Sequence, residues 1–352
     1  MDYLQEVGVE SSVGQVSRIL TEGKAVFQEE KEAILRPGVA VSRYVNVEDT
    51  EARHPGKNGY CPPMGNEFFA WFASTESKSR LNFLPLLRAG HTDYVLNAVA
   101  RDSMTCQKLP KAQLQLLVGE LTFAEQAHWE AHLATVGLTT ARQVQIATEG
   151  ALLGSVLSHE IAPDRVILRE DAGQFPILRH ALGWVHAERT IHKLLPFSAA
   201  QREAVETVRG QSWELYQDLK AYQQAPCPQQ KRQRARRFET IFTATTCFQT
   251  LNLALKRLHQ TKAELVLVLD RPEVPLHNNG SEREIREYVK TRKISASTRS
   301  ELGRSARDTL LSLKKTCRKL GLSFWSYLQD RLTRAQQIPP LPQLIRAAAL
   351  SP

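Results

Sequence analysis

The chain has 352 residues, 42% hydrophobic and 24% charged, with a formal net charge of +9, which describes an ordinary globular protein with room for two or three packed units. No apolar run approaches the ~18 residues of a membrane helix, "MDYLQEVGVESS" has neither the basic nor the apolar part of a secretory signal, and five scattered cysteines (Cys61, Cys106, Cys227, Cys247, Cys317) offer no C-x-x-C pair. A membrane protein, a disulfide scaffold and a zinc ribbon are thereby disfavoured, a reducing cytoplasm is expected, and the surplus of positive charge favours a polyanionic partner.

Residues 12–35 read as a helix stopped by "RPG" at 36–38. "SRYVNVEDT" (42–50) alternates as a strand does, "HPGKNGYCPP" is turn chemistry, "NEFFAWFAST" (66–75) reads as a second strand and "SRLNFLPLL" as a third, together an antiparallel meander. "TFAEQAHWEAHLATVG" is expected to be a helix opened by a Thr122-x-x-Glu125 capping box and closed at Gly137. "ARQVQIATEGALLGSVLSHEI" is another helix, weakened at Gly150. "DRVILRED" (164–171) is a short apolar run, read as a buried strand that delivers Glu170 and Asp171 to its C-terminal end.

From 177 to 270 there is almost no strand signal. "SAAQREAVETVRGQSWELYQDLKAY" and "FETIFTATTCFQTLNLALKRLHQ" carry helical stripes, with "QQAPCPQQKRQRARR" as a break between them. After this all-helical insertion comes "VPLHNNGSEREIREYVKTRK" (274–293), a helix with Glu282 in its first turn, then the helix "SARDTLLSLKKTCRKLG" and an amphipathic "SFWSYLQDRL". The Pro-rich tail from Pro339 is expected to add little. The division is thus a helical segment over 1–40, a first core part over 41–176, the insertion over 177–270, a second core part with basic helices over 271–335, and a tail over 336–352.

Three acidic points stand out: Glu48–Asp49 and Glu170–Asp171 at strand ends, and Glu282 on its helix. Hard cations take oxygen ligands, and two Mg²⁺ ions held by such acids stabilise both oxygens of an in-line phosphoryl displacement. Each acid also has a plain structural reading. A pair closing a strand is commonly a solvated strand end, and Glu282 can be the partner in a capping box begun by Asn279. Basic residues around Glu282, namely Arg283, Arg286, Lys290, Arg292 and Lys293, fit an acid that works on phosphate. From charge alone, "KRQRARR" (231–237) and the region 283–319 read equally as solvated faces or as a nucleic-acid surface. Ile285 and Val289 are expected on the face of Glu282, packed on the strand core. His186 and His192 read as structural histidines. Nucleotide-binding loops, H-E-x-x-H and G-x-S-x-G are not found.

"VPLHNNGSEREIREYVKTRK" followed by "LLSLKKTCRKLGLSFWSYLQDRL" resembles the C-terminal part of transposases of the insertion sequence 66 family. "WVHAERTIHKL" is similar to the W-x-H-A-x-R helix of those proteins, and "EDTEARHPGKNGYC" with "SKSRLNFLPLLR" to the first-acid region of one branch, so that the resemblance runs from about residue 10 to 333. It implies an α/β, ribonuclease-H-like mixed sheet core with a large all-helical insertion between the second and third acids of a DDE triad. It also implies two Mg²⁺ ions, with Mn²⁺ as a substitute. The reaction would be cleavage at the element's ends, then attack of the freed 3′-hydroxyl on target DNA.

By motif Glu282 is the third acid, with Asn278, Asn279 and Arg283 holding the site and Arg286, Lys290, Arg292 and Lys293 on DNA. The catalytic and metal-ligating set is Asp49, Asp171 and Glu282, with Glu48 and Glu170 as rivals, because the branch has Asp-Asp where this chain has Glu-Asp. If the first member of each pair is the ligand, each carboxylate sits one methylene further out, and a misplacement of ~1 Å can slow a reaction roughly a hundredfold. The family's N-terminal coiled coil and zinc-binding region are not expected in this chain; Gly183 stands where the family often has Cys, and Glu51 where it has Gly. The expected partner is DNA, bound by a dimer or higher oligomer with no membrane involved, at the nucleoid in the cytoplasm. A DNA-binding relic without activity and a stand-alone metal-dependent nuclease are the alternatives.

Overall fold

The computed structural model describes residues 5–54, 57–159, 164–169, 179–295 and 298–350. The chain divides into two compact units, the first built from residues 1–42, 49–163 and 283–352 and the second from 43–48 and 164–282. Glu170 and Asp171 lie outside the described residues. No helix among the described residues is long and apolar enough to cross a membrane.

The second unit holds a parallel ladder. Tyr44–Val47 pairs with Val166–Arg169, which pairs in turn with Arg179–Leu182, in the register Val45↔Ile167↔His180. All four residues of the middle strand are buried, as a strand covered on both faces must be, which is why its sequence is an unbroken apolar run rather than an alternation. Val166, Leu168, Ala181 and Val274 form one core cluster around it. The "SRYVNVEDT" strand is therefore the start of a parallel sheet and not of the expected meander.

The other described residues of this unit are mainly helical. Helices Trp184–His192, Ala199–Gln224, Pro228–Phe242 and Gln249–Gln260 share an apolar core that includes Leu215, Leu219, Phe238, Phe242, Leu251 and Leu255. The stretch expected to break the helix instead forms most of Pro228–Phe242. Pro228 sits at its first turn, where a missing N–H costs nothing. Its basic residues find partners: Lys231 pairs with Asp270 at 2.5 Å, Arg234 donates to Asp218 O at 2.7 Å, and Arg237 pairs with Asp218 and Glu214. The Phe238 side of the helix is buried, and that tertiary packing outweighs the poor intrinsic signal.

The first unit carries short antiparallel pairs, Thr50–His54 with Lys57–Cys61, Met64–Gly65 with Ala70–Trp71, and Tyr94–Leu96 with Leu121–Phe123. The first of these includes residues expected to be turn, and the last takes up Thr122, so the helix Gln126–Thr135 begins at Glu125 without the expected capping box. It does end at Gly137, whose φ of +75° is the left-handed stop that glycine allows. "SRLNFLPLL" is the helix Arg80–Leu87, capped by Ser79, whose Oγ accepts from Asn82 N at 3.2 Å.

Helix Ala25–Val41 runs through Pro37 and Gly38 where a stop was expected. A Cβ on Gly38 would stand 2.6 Å from the Phe69 ring, so the glycine allows close packing here. Helix Ala141–Ser158 likewise passes through Gly150, and a Cβ on Gly154 would stand 2.2 Å from Val95 O. The tail also departs from expectation. Helix Leu341–Leu350 buries Leu341 and Ile345 against Ala25–Val41. Glu30 joins these elements by accepting from Leu341 N at 2.9 Å, Tyr327 Oη at 2.8 Å and Arg331 Nε at 2.9 Å.

Helix Glu301–Lys319 covers the exposed backbone of the segment 70–74. Thr316 Oγ1 accepts from Ala70 N at 3.2 Å and donates to Ala70 O at 3.1 Å; Ser312 Oγ accepts from Phe72 N at 2.9 Å; Asp308 Oδ2 accepts from Ser74 N at 2.8 Å. Four helical residues rise about 6 Å and two extended residues span about 6.6 Å, so a polar residue every fourth position meets every second amide.

Candidate active site

Helix Asn279–Ser295 opens on Asn278, whose carbonyl accepts the first intrahelical bond, from Glu282 N at 3.1 Å. Asn278 is thus the N-cap and Glu282 falls one position beyond the place a capping box requires, so the capping-box reading of Glu282 fails. Its carboxylate points elsewhere. Oε1 lies 3.6 Å from His186 Nε2 and 3.9 Å from Arg189 Nη2.

Both partners come from helix Trp184–His192. The spacing 186 and 189 puts them on one face, while Trp184, Ala187, Glu188 and Ile191 are buried on the other. Trp184 anchors this helix: its Nε1 donates to Leu265 O at 2.8 Å, its backbone N to Leu276 O at 2.9 Å, and its ring meets Phe238 edge-on. His186 is therefore not an isolated structural histidine. The i, i+3 pair of a histidine and an arginine behind a tryptophan was the available signal. A Cβ on Gly183 would meet Asn278 N at 3.6 Å, an ordinary contact, so a side chain such as cysteine fits there.

Beneath the helix start, Asn278 Nδ2 donates to Val47 O at 3.4 Å. The Asn46 amide nitrogen would lie 2.9 Å from a Cβ on Gly280, so only a glycine lets the first helical turn approach this strand so closely. Asn46 and Asn278 are both nearly inaccessible, and the Oδ1 of each is buried without a hydrogen-bond partner among the described residues. Buried polar atoms are almost always satisfied, so two orphaned oxygens at one helix start stand out. Amide and carboxylate oxygens are the donor type that suits a hard divalent ion.

The first acid pair divides. Glu48 directly follows the strand Tyr44–Val47 in the second unit, and Asp49 belongs to the first. Asp49 is nearly buried and bound to Lys78 Nζ at 2.6 Å within the first unit. Glu51 is largely exposed, with Arg292 Nη1 4.0 Å away. Nothing among the described residues bears on Glu170 or Asp171.

Along the helix, Arg283, Arg286, Lys290 and Lys293 are all exposed at steps of three and four, one continuous basic stripe, and no described acid pairs with any of them. The opposite face buries Ser281, Glu284 and Tyr288. Ile285 and Val289, expected to be the packing face, are only half-buried. Tyr288 takes that role by stacking on Phe72 at 6.0 Å, because its larger ring fills the core next to Ala52 and Leu311. Glu284 binds Lys319 at 3.1 Å and Lys315 at 3.3 Å, and Glu287 binds Lys314 at 2.6 Å and Lys315 at 2.8 Å. Burial works to raise the Glu287 carboxyl, but the hydrogen bonds and charges of Lys314 and Lys315 prevail and hold it at about 2. The acids of this helix thus neutralise the lysines of Glu301–Lys319 and leave the stripe at 283–293 as uncompensated positive charge.

Residues 173–306 match the model of the transposase IS66 family. An uncharacterized protein, y4jO of Sinorhizobium fredii, is 41% identical over 321 residues, covering 90% of this chain and 100% of the relative. No solved structure matches.

Proposed function

This chain belongs to the IS66 transposase family, and we propose that it is a DNA transposase that cleaves the ends of its element and joins them to target DNA. The observation that carries the proposal is the head of helix Asn279–Ser295. There Glu282 lies in the first turn, the N-cap Asn278 and the facing Asn46 keep unsatisfied oxygens, and an exposed basic stripe follows.

In this reading Glu282 is the third acid of a DDE-type set, Glu170 or Asp171 contributes the second and the pair Glu48–Asp49 the first. Lys78 already engages Asp49, which supports Glu48 as the first acid. The oxygen donors fit Mg²⁺ in kind, and Glu282 with the two other acids would hold such ions, which would supply charge stabilisation for the attacking and leaving oxygens. Asn278 and Asn46 orient the first turn against the strand. His186 and Arg189 flank the Glu282 carboxylate, and Arg189 offers positive charge to a phosphate. Arg283, Arg286, Lys290 and Lys293 bind the DNA backbone without reading sequence. The parallel ladder is then the centre of a ribonuclease-H-like core with its helical insertion, and the protein works on DNA as a dimer or higher oligomer.

The test is a labelled duplex of the element end incubated with purified protein and Mg²⁺ or Mn²⁺. Joined strands are expected. Glu282→Gln should lower cleavage at least about a hundredfold and leave DNA affinity within a few-fold. Binding without turnover in the wild type would instead indicate a relic, and cutting without joining a nuclease. Cleavage that survives Glu282→Gln contradicts the assignment of the third acid.

A further inference from the structure

A second cluster of ligating side chains lies in the first unit. His91, Asp93 and His159 each bring one ligand atom to within 4.8 Å of the other two. His159 Nε2 is 2.9 Å from Asp93 Oδ1, and the two imidazoles stack with centroids 3.5 Å apart and planes 5° from parallel. We propose that His91, Asp93 and His159 form a site for a single transition-metal ion, with zinc as the natural occupant.

Two imidazole nitrogens and one carboxylate oxygen suit zinc, whereas Mg²⁺ prefers oxygen alone. Metal–ligand bonds of about 2.0–2.1 Å set tetrahedral edges near 3.4 Å, so the three atoms are near enough to share an ion once the two rings tilt out of their parallel stack. A metal takes up both rings in their neutral form.

The supporting groups also fit. Ser155 Oγ, fully buried, donates to Asp93 Oδ1 at 3.0 Å, and Arg88 Nη1 donates to the Asp93 carbonyl at 2.7 Å. These fix the carboxylate as partners behind a metal ligand do. Ala89 and Gly90 both have positive φ, 51° and 93°, and this tight reversal is what turns His91 back toward Asp93. His159 caps the helix Ala141–Ser158, and Asp93 precedes the strand Tyr94–Leu96. The ion would therefore pin a helix end to a strand start. His159 and Asp93 keep 28% and 17% of their side chains exposed, which leaves a water-accessible fourth position. The site is independent of the transposase reading.

The experiment uses the full chain, stripped with chelator and titrated with Zn²⁺ by calorimetry and with Co²⁺ by visible absorption. One equivalent should bind, with tetrahedral cobalt bands, a rise in melting temperature on adding Zn²⁺ and no competition from millimolar Mg²⁺. His91→Ala and His159→Ala should each weaken binding at least about a hundredfold, and Ser155→Ala about tenfold. His91→Gln provides a milder change should either alanine variant fail to fold. A Cys106→Ser, Cys227→Ser, Cys247→Ser variant, which removes the thiols not fully buried, should bind as the wild type does. Absence of stoichiometric zinc, binding unchanged by the His91 substitutions, or binding lost with the cysteines overturns the proposal.

Discussion

Two buried polar groupings invite comparison. Where helix Glu301–Lys319 covers the segment 70–74, the hydroxyl or carboxylate of Thr316, Ser312 and Asp308 each meets a backbone amide. Where helix Asn279–Ser295 begins over the strand Tyr44–Val47, Asn46 and Asn278 keep buried oxygens without such partners among the described residues. Satisfied polar atoms raise stability and specify geometry, whereas unsatisfied ones reduce stability and persist where something else has to bind. By that standard the first grouping is architecture and the second is where the proposed site lies, although the sequence alone shows both simply as polar residues.

The largest effect should come from breaking the completed grouping. Asp308→Ala leaves the Ser74 amide unpaired and removes the partner of Arg307 at 3.1 Å, so urea unfolding should show a loss of about 3 kcal/mol. Next, reversing charge at both Arg286 and Lys290 should weaken duplex binding more than tenfold for every sequence and flatten its dependence on salt. The same reversal at Arg237, whose charge Asp218 and Glu214 already meet, should leave the salt slope alone; an equal change would merge the two basic clusters into one DNA surface.

Asn278→Ala sharpens the comparison further. It removes an unsatisfied oxygen together with one long hydrogen bond, so stability should shift by no more than about 1 kcal/mol while strand cleavage drops severalfold. A large loss of stability would return Asn278 to the architecture. The smallest effect concerns acid. Glu287 sits at about 2 in the folded chain against an ordinary 4.5, so its contribution is complete above pH 4.5 and disappears as pH falls toward 2. Glu287→Gln should flatten that acid limb in a pH series of unfolding midpoints.

What could be read from the sequence followed from local periodicity. The buried strand Val166–Arg169, the long helix after Ser198 and the helix bearing Glu282 were all legible from spacing and caps. Errors came where distant packing overruled local preference. Pro37 and Pro85 lie inside helices, Lys57–Cys61 is a strand despite its turn residues, and the basic stretch at 231–237 is helical because Phe238 and Phe242 are buried behind it. Of the candidate site, Glu282 and its basic stripe were visible as a motif. Asn46 was not, since its contribution depends on which segment lies opposite, and His186 with Arg189 showed only as an i, i+3 pair. The His91, Asp93 and His159 grouping had no signal either, its members being 66 residues apart across Asp93 and His159.

The four-to-two match between helix Glu301–Lys319 and the segment 70–74 works as a ruler. A slide by one helical residue turns Asp308, Ser312 and Thr316 away by about 100° together, so no single rung can slip while the others hold. Intermediate positions are penalised three times over, and the next equivalent placement is a full ~6 Å further along. The segment under that helix is indexed to whole steps, and any force on it must either break every rung or move none.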